Sequence, residues 1–429
     1  MTYSETLTYL FTAMPSFQNI GGDAYKPGLE RITQFCEVLG NPHRKYRVIH
    51  IAGTNGKGST SHMLASVIQH AGYRTALFTS PHLRDFRERM RVNGEMISQE
   101  EVVTFVERYR HDMERLQLSF FEMTAAMALH HFALSGVEVA VIETGLGGRL
   151  DATNIVDPTL SIITNIGIDH TKFLGTTLPQ IAAEKGGIIK QQRGVILGEM
   201  GDEYTSVIED IAHANGSTLV LAQREWCIAK QEVLAEGQNI TLQNMQSGES
   251  IDIELDLVGK YQSKNVVTTI TAIYYINAHT PIAIPQRAIN EGLNSVITTT
   301  SLLGRWQKLS DSPRVICDTG HNAHGLKYVM EQLRATPHNR LFCVLGFAND
   351  KKLDEILPLF DIDAYFIFTR PKVDRAFHCS EIECVAKKMG YKCESIEDVS
   401  QAVAYAKGLA QEGDLIFVGG SNFVVAEVV

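Results

Sequence analysis

A chain of 429 residues with 44% hydrophobic and 8% aromatic residues has the mix of a folded globular protein and exceeds one ordinary core, so two unequal domains are expected rather than disorder. Lys and Arg total 39 against 49 Asp and Glu, a formal net charge of −10, which argues against a sequence-independent grip on nucleic acid or anionic lipid. The first basic residue is Lys26 and no apolar run is long enough to span a bilayer, so neither a secretory signal nor a membrane span is expected. Seven scattered cysteines suit a reducing cytoplasm better than a disulfide framework, and His378, Cys379, Cys384 and Cys393 lack the C-x-x-C knuckle of a zinc site.

From residue 47 to about 221, short β-rich runs alternate with helix-like stretches, the pattern of a mostly parallel sheet under covering helices. Strands are expected at 48–52, 76–79, 137–143, 160–165 and 195–198, each running into a loop rich in Gly, Thr, Asn or Asp. In such sheets ligands sit beyond the carboxyl ends of the strands. Residues 239–257 alternate apolar and polar around a turn at 246–250, which predicts an antiparallel hairpin. A helix over 261–277 follows. The Thr-rich stretch 295–301 lacks periodicity and reads as a linker, so domains are expected at 1–297 and 298–429, the second gaining regular structure from about Leu302. That smaller α/β part has strand candidates at 315–318, 341–346, 365–369 and 415–419.

The strongest chemical signal is Gly53-Thr54-Asn55-Gly56-Lys57-Gly58-Ser59-Thr60, directly after a strand and before a helical pattern over 59–70. Glycines allow close backbone approach, free N–H groups and the helix dipole favour phosphate, and Lys57 can neutralise it. Ser59 or Thr60 can reach a magnesium ion. The spacing departs from the common G-x-x-x-x-G-K-[ST] form, since only two residues separate Gly53 from Gly56 and Gly58 intervenes before Ser59.

Strand 137–143 delivers Glu143 to the sheet rim, and strand 160–165 leads to Asp169 and His170. Glu143 and His170 could ligate the magnesium of a nucleotide, although a histidine at a strand end is more often a hydrogen-bonded structural group. Lys185 interrupts a small, apolar segment. It reads either as part of a solvated helix face or as a low-pKa amine able to take up carbon dioxide as a metal-ligating carbamate. Phe120 and Phe121 by themselves read as core.

Taken together, the runs 52–59, Ser80-Pro81-His82-Leu83 with Glu88-Arg89, Phe121-Glu122, Glu143 with 145–154, and Asp169-His170 resemble the Mur ligase superfamily, and within it the folylpolyglutamate synthase family with its bifunctional dihydrofolate synthases. The resemblance covers nearly the whole chain. It implies a Mur-ligase-like α/β fold, with a P-loop N-terminal domain and a smaller Rossmann-like C-terminal domain. It also implies an ATP-dependent ligase that adds L-glutamate to dihydropteroate or reduced folates through an acyl phosphate. The Gly56–Ser59 loop would hold ATP phosphates. Ser80, Glu143 and His170 would ligate magnesium, at two positions with room for a monovalent cation, and Lys185 would carry the carbamate. Asn265, Arg305 and Asp318 match ATP-holding positions, and the nucleotide would lie between domains.

Gly28 in the segment 26–31, Phe120, Phe121, Glu122, Leu150, Asp151 and Ala152 fall on the pterin side of the resemblance, where an aromatic can stack on the flat ring and an acid can accept its N–H donors. Asp318-Thr319-Gly320-His321-Asn322 stands near the family's D-G-A-H-N, with Thr319 and Gly320 replacing Gly and Ala, a change that could alter the turn presenting His321. His321 and Asp318 would either assist the reaction or only hold ligands. Glutamate is expected near 346–351 and Arg375-Ala376. The expected partners are small molecules alone, and the resemblance favours a monomer. Two other readings are a peptidoglycan Mur ligase acting on a UDP-sugar, and a nucleotide-dependent switch that makes no amide.

Overall fold

The computed structural model describes residues 1–14 and 27–429, so Lys26 of the 26–31 segment lies outside the described residues and Gly28 inside them. These residues form two compact units. The first comprises 1–82, 86–256 and 261–302; the second comprises 83–85, 257–260 and 303–429.

The first unit is built on an eight-stranded sheet of β1 (Arg47–Ala52), β2 (Thr75–Phe78), β3 (Met90–Val92), β4 (Glu95–Met96), β5 (Val139–Glu143), β6 (Leu160–Ile163), β7 (Gly194–Leu197) and β8 (Thr218–Leu221), in the order β4-β3-β2-β5-β1-β6-β7-β8. From β2 to β8 the neighbours run parallel, and β3 and β4 close one edge antiparallel. The central strands read as near-continuous apolar runs, broken by His50 and Ser161, because helices cover both faces and nearly every side chain is buried. One face packs under the helices Glu30–Val38, Gln99–Arg115 and Phe120–Leu134 and, further along the same face, under Leu178–Gly186 and Thr205–Ala214; the opposite face packs against Lys57–His70 and Gln262–His279. The helix Lys57–His70 is buried along most of its length, against β5 and β2 and against the helices Gln262–His279 and Gln286–Leu293.

Two expectations change here. The hairpin over 239–257 is the half of a three-stranded sheet formed by β10 (Gln238–Asn244) and β11 (Ser250–Leu255); β9 (Trp226–Val233) adds the third strand. β9 escaped notice because most of its side chains are exposed or half-buried, leaving no clear alternation. The stretch 295–301 is not a linker: it holds the helix Val296–Thr300, seated by Ile297 N donating to Asp256 Oδ2 at 2.7 Å and by the buried Thr300 hydroxyl bonding His62 Nδ1 at 2.7 Å. A five-residue helix of β-branched residues is too short to show a period, and tertiary bonds decide its conformation. Residues 298–302 accordingly fold with the first unit.

The second unit carries a six-stranded sheet of β12 (Gln307–Asp311), β13 (Arg314–Cys317), β14 (Leu341–Leu345), β15 (Tyr365–Phe368), β16 (Lys392–Ser395) and β17 (Leu415–Gly419), ordered β12-β13-β17-β14-β15-β16. It is parallel apart from the β12 edge. Its helices lie on both faces over two separate apolar clusters. Among the described residues, no helix of either unit is long and apolar enough to cross a membrane.

Candidate active site

Register places the first unit's rim. β1 pairs with β5 so that Ile51 stands opposite Glu143, and with β6 so that Ala52 stands opposite Ile163. The loop leaving β1 therefore emerges between Glu143 on one side and Thr164-Asn165 on the other. Gly56 takes a left-handed conformation at the N-terminus of the helix Lys57–His70, and a Cβ there would come within 2.3 Å of Asn265 Oδ1, so glycine is required on both counts. Side chains beneath pin the loop. Asn165 Oδ1 accepts Asn55 N–H at 2.9 Å, Thr164 Oγ1 donates to the Asn55 carbonyl at 2.6 Å, and Thr54 Oγ1 donates to Gly167 O at 3.1 Å. Ser59 Oγ accepts from Gln262 Nε2 at 3.1 Å, and Gln262 Oε1 accepts Asn265 Nδ2 at 2.7 Å, so the helix Gln262–His279 braces the far flank.

Two lysines converge on one carbonyl. Lys57 Nζ donates to Gly53 O at 2.9 Å and Thr54 O at 3.3 Å, and Lys185 Nζ donates to the same Gly53 O at 2.8 Å. Lys185 is only 4% exposed, which disposes of the solvated-face reading. Burial first, then the neighbouring Lys57 charge, pushes its pKa down to about 7, with Asp169 and Asp151 opposing the shift. At neutral pH a substantial fraction of this amine is thus uncharged and nucleophilic.

Glu143, also 4% exposed, accepts the Ser80 backbone N–H on Oε2 at 3.1 Å. Close by in charge is Arg89, whose pKa burial lowers to about 10 while Glu143 and Glu88 hold it up. Its Nε donates to His82 Nδ1 at 2.8 Å, and its guanidinium lies 5.5 Å over the Phe120 ring. His170 has a left-handed backbone at the start of the short helix Thr171–Leu174, and its backbone N–H donates to Asp169 Oδ1 at 2.8 Å. Among the described residues, no three His, Cys, Asp or Glu side chains gather as a metal cluster. The rim instead offers hard oxygen donors: Ser80, Glu143, and the buried hydroxyls of Thr60 and Thr144, neither of which has a hydrogen-bond partner among the described residues. Hard oxygen donors beside a phosphate-type loop, two of them hydroxyls without a partner among the described residues, fit a magnesium ion.

The other candidates of this unit separate by burial. Phe120 is a core residue, stacked on Phe11 at 5.0 Å and edge-on to Phe86 at 5.7 Å. Phe121 is only half-buried and lies over Gly145, where a Cβ would meet its Cζ at 2.4 Å. Glu122 is buried and engaged: it closes a capping box with Ser119, accepting Ser119 N at 2.8 Å and Oγ at 2.7 Å, and pairs with Arg31 Nε at 3.0 Å. Asp151, whose carboxyl is raised by burial against the pull of its hydrogen bonds, accepts Leu146 N at 2.8 Å and both the N–H and hydroxyl of Thr153. Ala152 is buried in the short helix that Asp151 caps, and Leu150 and Gly28 are half-buried. Sequence reasoning passed over Thr164, Asn165, Glu199, Gln262 and Lys264. The available signal was that 164–165 and 198–199 also follow strands onto this rim.

In the second unit, Asp318 follows β13 and is buried, accepting Trp306 N at 2.8 Å and Gly320 N at 2.7 Å. His321 donates Nδ1–H to Thr319 O at 3.0 Å. The unusual Thr319 tightens this turn, its N–H and hydroxyl both donating to Gly304 O, at 3.0 and 3.1 Å. Arg305 is half-buried, with Nη1 on Gly304 O at 3.3 Å. The 346–351 and Arg375-Ala376 motifs adjoin: Ala348 bridges Ala376, and Asn349 N donates to Arg375 O at 2.8 Å. A cavity of about 560 Å³ lined by Arg370, Lys372, Asp374, Glu397 and Asp398 lies nearby in sequence, with Arg370 paired to Glu397 and Lys372 to Asp398.

Residues 51–273 match the Mur ligase middle domain and residues 304–422 the Mur ligase glutamate ligase domain. The dihydrofolate synthase/folylpolyglutamate synthase of Bacillus subtilis is 31% identical over 415 residues, 94% of each chain, and that of Escherichia coli is 31% identical over 421 residues, 96% of this chain and 92% of the other. The solved structure of Escherichia coli FolC in complex with DHPP and ADP superposes with a TM-score of 0.85 at 30% identity, covering 100% of this chain and 97% of that one. Mycobacterium tuberculosis folylpolyglutamate synthase complexed with ADP and AMPPCP gives a TM-score of 0.88 at 27% identity, covering 99% and 98%. On the fold, the rim and these likenesses, the chain belongs to the folylpolyglutamate synthase and dihydrofolate synthase family of Mur ligases.

Proposed function

We propose that the chain joins L-glutamate to dihydropteroate, to reduced folates, or to both, in a reaction driven by ATP. The observation that carries this reading is the meeting of Lys57 and buried Lys185 on the Gly53 carbonyl, on the rim that also bears Glu143 and Ser80. Two amines crowded onto one carbonyl compete for the same lone pairs, and an incoming polyphosphate relieves that by drawing Lys57 onto its oxygens. The loop N–H groups and the N-terminus of the helix Lys57–His70 supply further donors, and Asn265, against Gly56, flanks them.

The acceptor carboxylate attacks the ATP γ-phosphorus, breaking the bond to ADP and giving an acyl phosphate. The glutamate amine then attacks the acyl carbon, loses a proton and expels inorganic phosphate. Ser80, Glu143 and His170 would hold magnesium, with a carbamate on Lys185 as a further ligand. Bound there, magnesium supplies positive charge to the phosphate oxygens. The neutral Lys185 amine suits carbamate formation, in which nitrogen bonds the carbon of carbon dioxide and releases a proton, and the new anion pairs with Lys57. Two magnesium positions and a monovalent cation site belong to the same proposal. Phe121 offers the half-exposed face for a flat pterin, bordered by Leu150, Asp151 and Ala152. Arg305, Asp318 and His321 of the second unit are assigned to ligand handling, with glutamate near 346–351 and Arg375. A cytoplasmic monomer is proposed, in keeping with seven free cysteines.

The deciding experiment supplies ATP, magnesium and glutamate with dihydropteroate or, separately, tetrahydrofolate, and detects each added glutamate by mass. Product from both makes the enzyme bifunctional. Product from tetrahydrofolate alone makes it a folylpolyglutamate synthase, and nucleotide hydrolysis with no amide from either overturns the reading.

A further inference from the structure

Glu199 stands two residues past the end of β7, where Gly198 N donates to Ile163 O at 2.8 Å and Glu199 N to Thr164 O at 2.9 Å, continuing the parallel pairing onto the rim. Its side chain is 16% exposed and its carboxylate is divided between two donors. Oε1 accepts Asn165 Nδ2 at 3.0 Å, and Oε2 accepts Lys264 Nζ at 2.7 Å. Asn165 in turn gives Oδ1 to the Asn55 N–H and its backbone carbonyl to the Thr54 N–H at 3.0 Å.

An asparagine amide turns over at little steric cost, exchanging donor for acceptor. Turned over here, Nδ2 would face the Asn55 N–H, donor against donor, and the phosphate loop would lose its seat. A carboxylate only accepts, so Glu199 permits the one amide orientation in which Asn165 can receive Asn55. Its second oxygen holds Lys264, the neighbour of Asn265, whose side chain abuts Gly56. One acidic side chain thus fixes the loop from below and from its flank.

We propose that Glu199 is a positioning residue for the nucleotide, setting the polarity of the Asn165 amide and tethering Lys264 so that the phosphate loop keeps its binding shape. The inference rests on the ATP-dependent reading above.

The test compares wild type, E199Q, N165D, the double variant E199Q/N165D and K264M, by calorimetric binding of ADP with magnesium, steady-state kinetics in ATP, and thermal melting. E199Q is nearly isosteric. With the carbonyl of the new glutamine on Lys264, its amide N–H meets Asn165 Nδ2, and we expect the ADP Kd and the ATP KM to rise about 10-fold while kcat stays within about threefold. N165D sets carboxylate against carboxylate and should weaken ADP binding by at least as much. In the double variant the glutamine at position 199 donates its amide N–H to the aspartate at position 165, and that aspartate accepts the Asn55 N–H. The glutamine carbonyl accepts Lys264, so every bond is restored and ADP affinity should return to within about threefold of wild type. K264M, at a part-exposed position, should raise the ATP KM about threefold. Unchanged ADP affinity in E199Q, a lower melting temperature without an affinity change, or a double variant as weak as the two losses combined overturns the inference. An E199Q protein too unstable to assay passes the decision to K264M, whose unchanged KM likewise overturns it. Wild type that binds no ADP at all sinks the ATP reading instead.

Discussion

Two stretches of the first unit's rim use ionisable groups in opposite ways. Around the phosphate loop, Lys57 and Lys185 crowd one carbonyl oxygen, and the Thr60 and Thr144 hydroxyls are buried without partners among the described residues. Around 119–122 and 151–153, the carboxylates are matched: Glu122 by a capping box and Arg31, Asp151 by the Leu146 N–H and by Thr153. Unbalanced buried charge is costly and persists where a ligand completes it, whereas a satisfied buried carboxylate organises the chain around it. The first stretch is read here as ligand machinery and the second as scaffold, from which Phe121 alone presents an open face.

The sharpest way to break that contrast is at Lys57. Lys57→Ala should lower the ligation rate by about 10³-fold or more with little change in melting temperature, since the side chain is part-exposed and bonds only loop carbonyls. Turnover near wild type would remove the loop from the chemistry. Lys185→Met should cost about 10²-fold in rate, with an opposite effect on stability. The folded pKa is depressed to about 7 from 10.5, so the folded state is penalised in full below about 7, and the penalty fades as pH rises toward 10.5. In buffer free of carbon dioxide the methionine variant should therefore melt above wild type at pH 7, with the gap closing through that window. A gap that widens with pH would show that Lys185 is not held as a strained amine.

How much of this was legible beforehand follows from where the information resides. The parallel strands announce themselves because β1, β5, β6 and β7 are buried on both faces and carry near-continuous apolar runs, and the phosphate loop because its glycines, lysine and hydroxyls are contiguous. Lys185 could be placed only through the family resemblance, since nothing local reveals that its amine reaches a carbonyl 132 residues away. Asn165 and Glu199 follow strands onto the rim, but their bonding to each other and to Lys264 exists only after three separate segments meet, so no local pattern could show it. The helix Val296–Thr300 was misread for a related reason: its conformation is set by bonds to the distant Asp256 and His62, not by a local period.

On the matched side, Glu122→Ala should cost about 2 kcal/mol of stability, mostly from the lost cap because Arg31 is part-exposed. Denaturant unfolding measures this directly. An unchanged midpoint together with a raised KM for the pteroate or folate acceptor would move Glu122 from scaffold to ligand group.

The smallest effect belongs to Phe121, and it tests the boundary between the two uses most finely. Its ring rests against Gly145 with one side half-exposed, while Phe120 next to it is sealed between Phe11 and Phe86. A flat aromatic ligand stacked on Phe121 gains about 1 kcal/mol beyond its buried area, so Phe121→Ala should raise the KM for dihydropteroate about 5-fold and leave the KM for ATP where it was. Phe121→Tyr, which keeps the face, should restore the acceptor KM. Loss shared equally by both substrates, or no recovery with tyrosine, would mean that the ring only supports the Gly145 turn beneath it, and the scaffold would then extend to the edge of the phosphate loop itself.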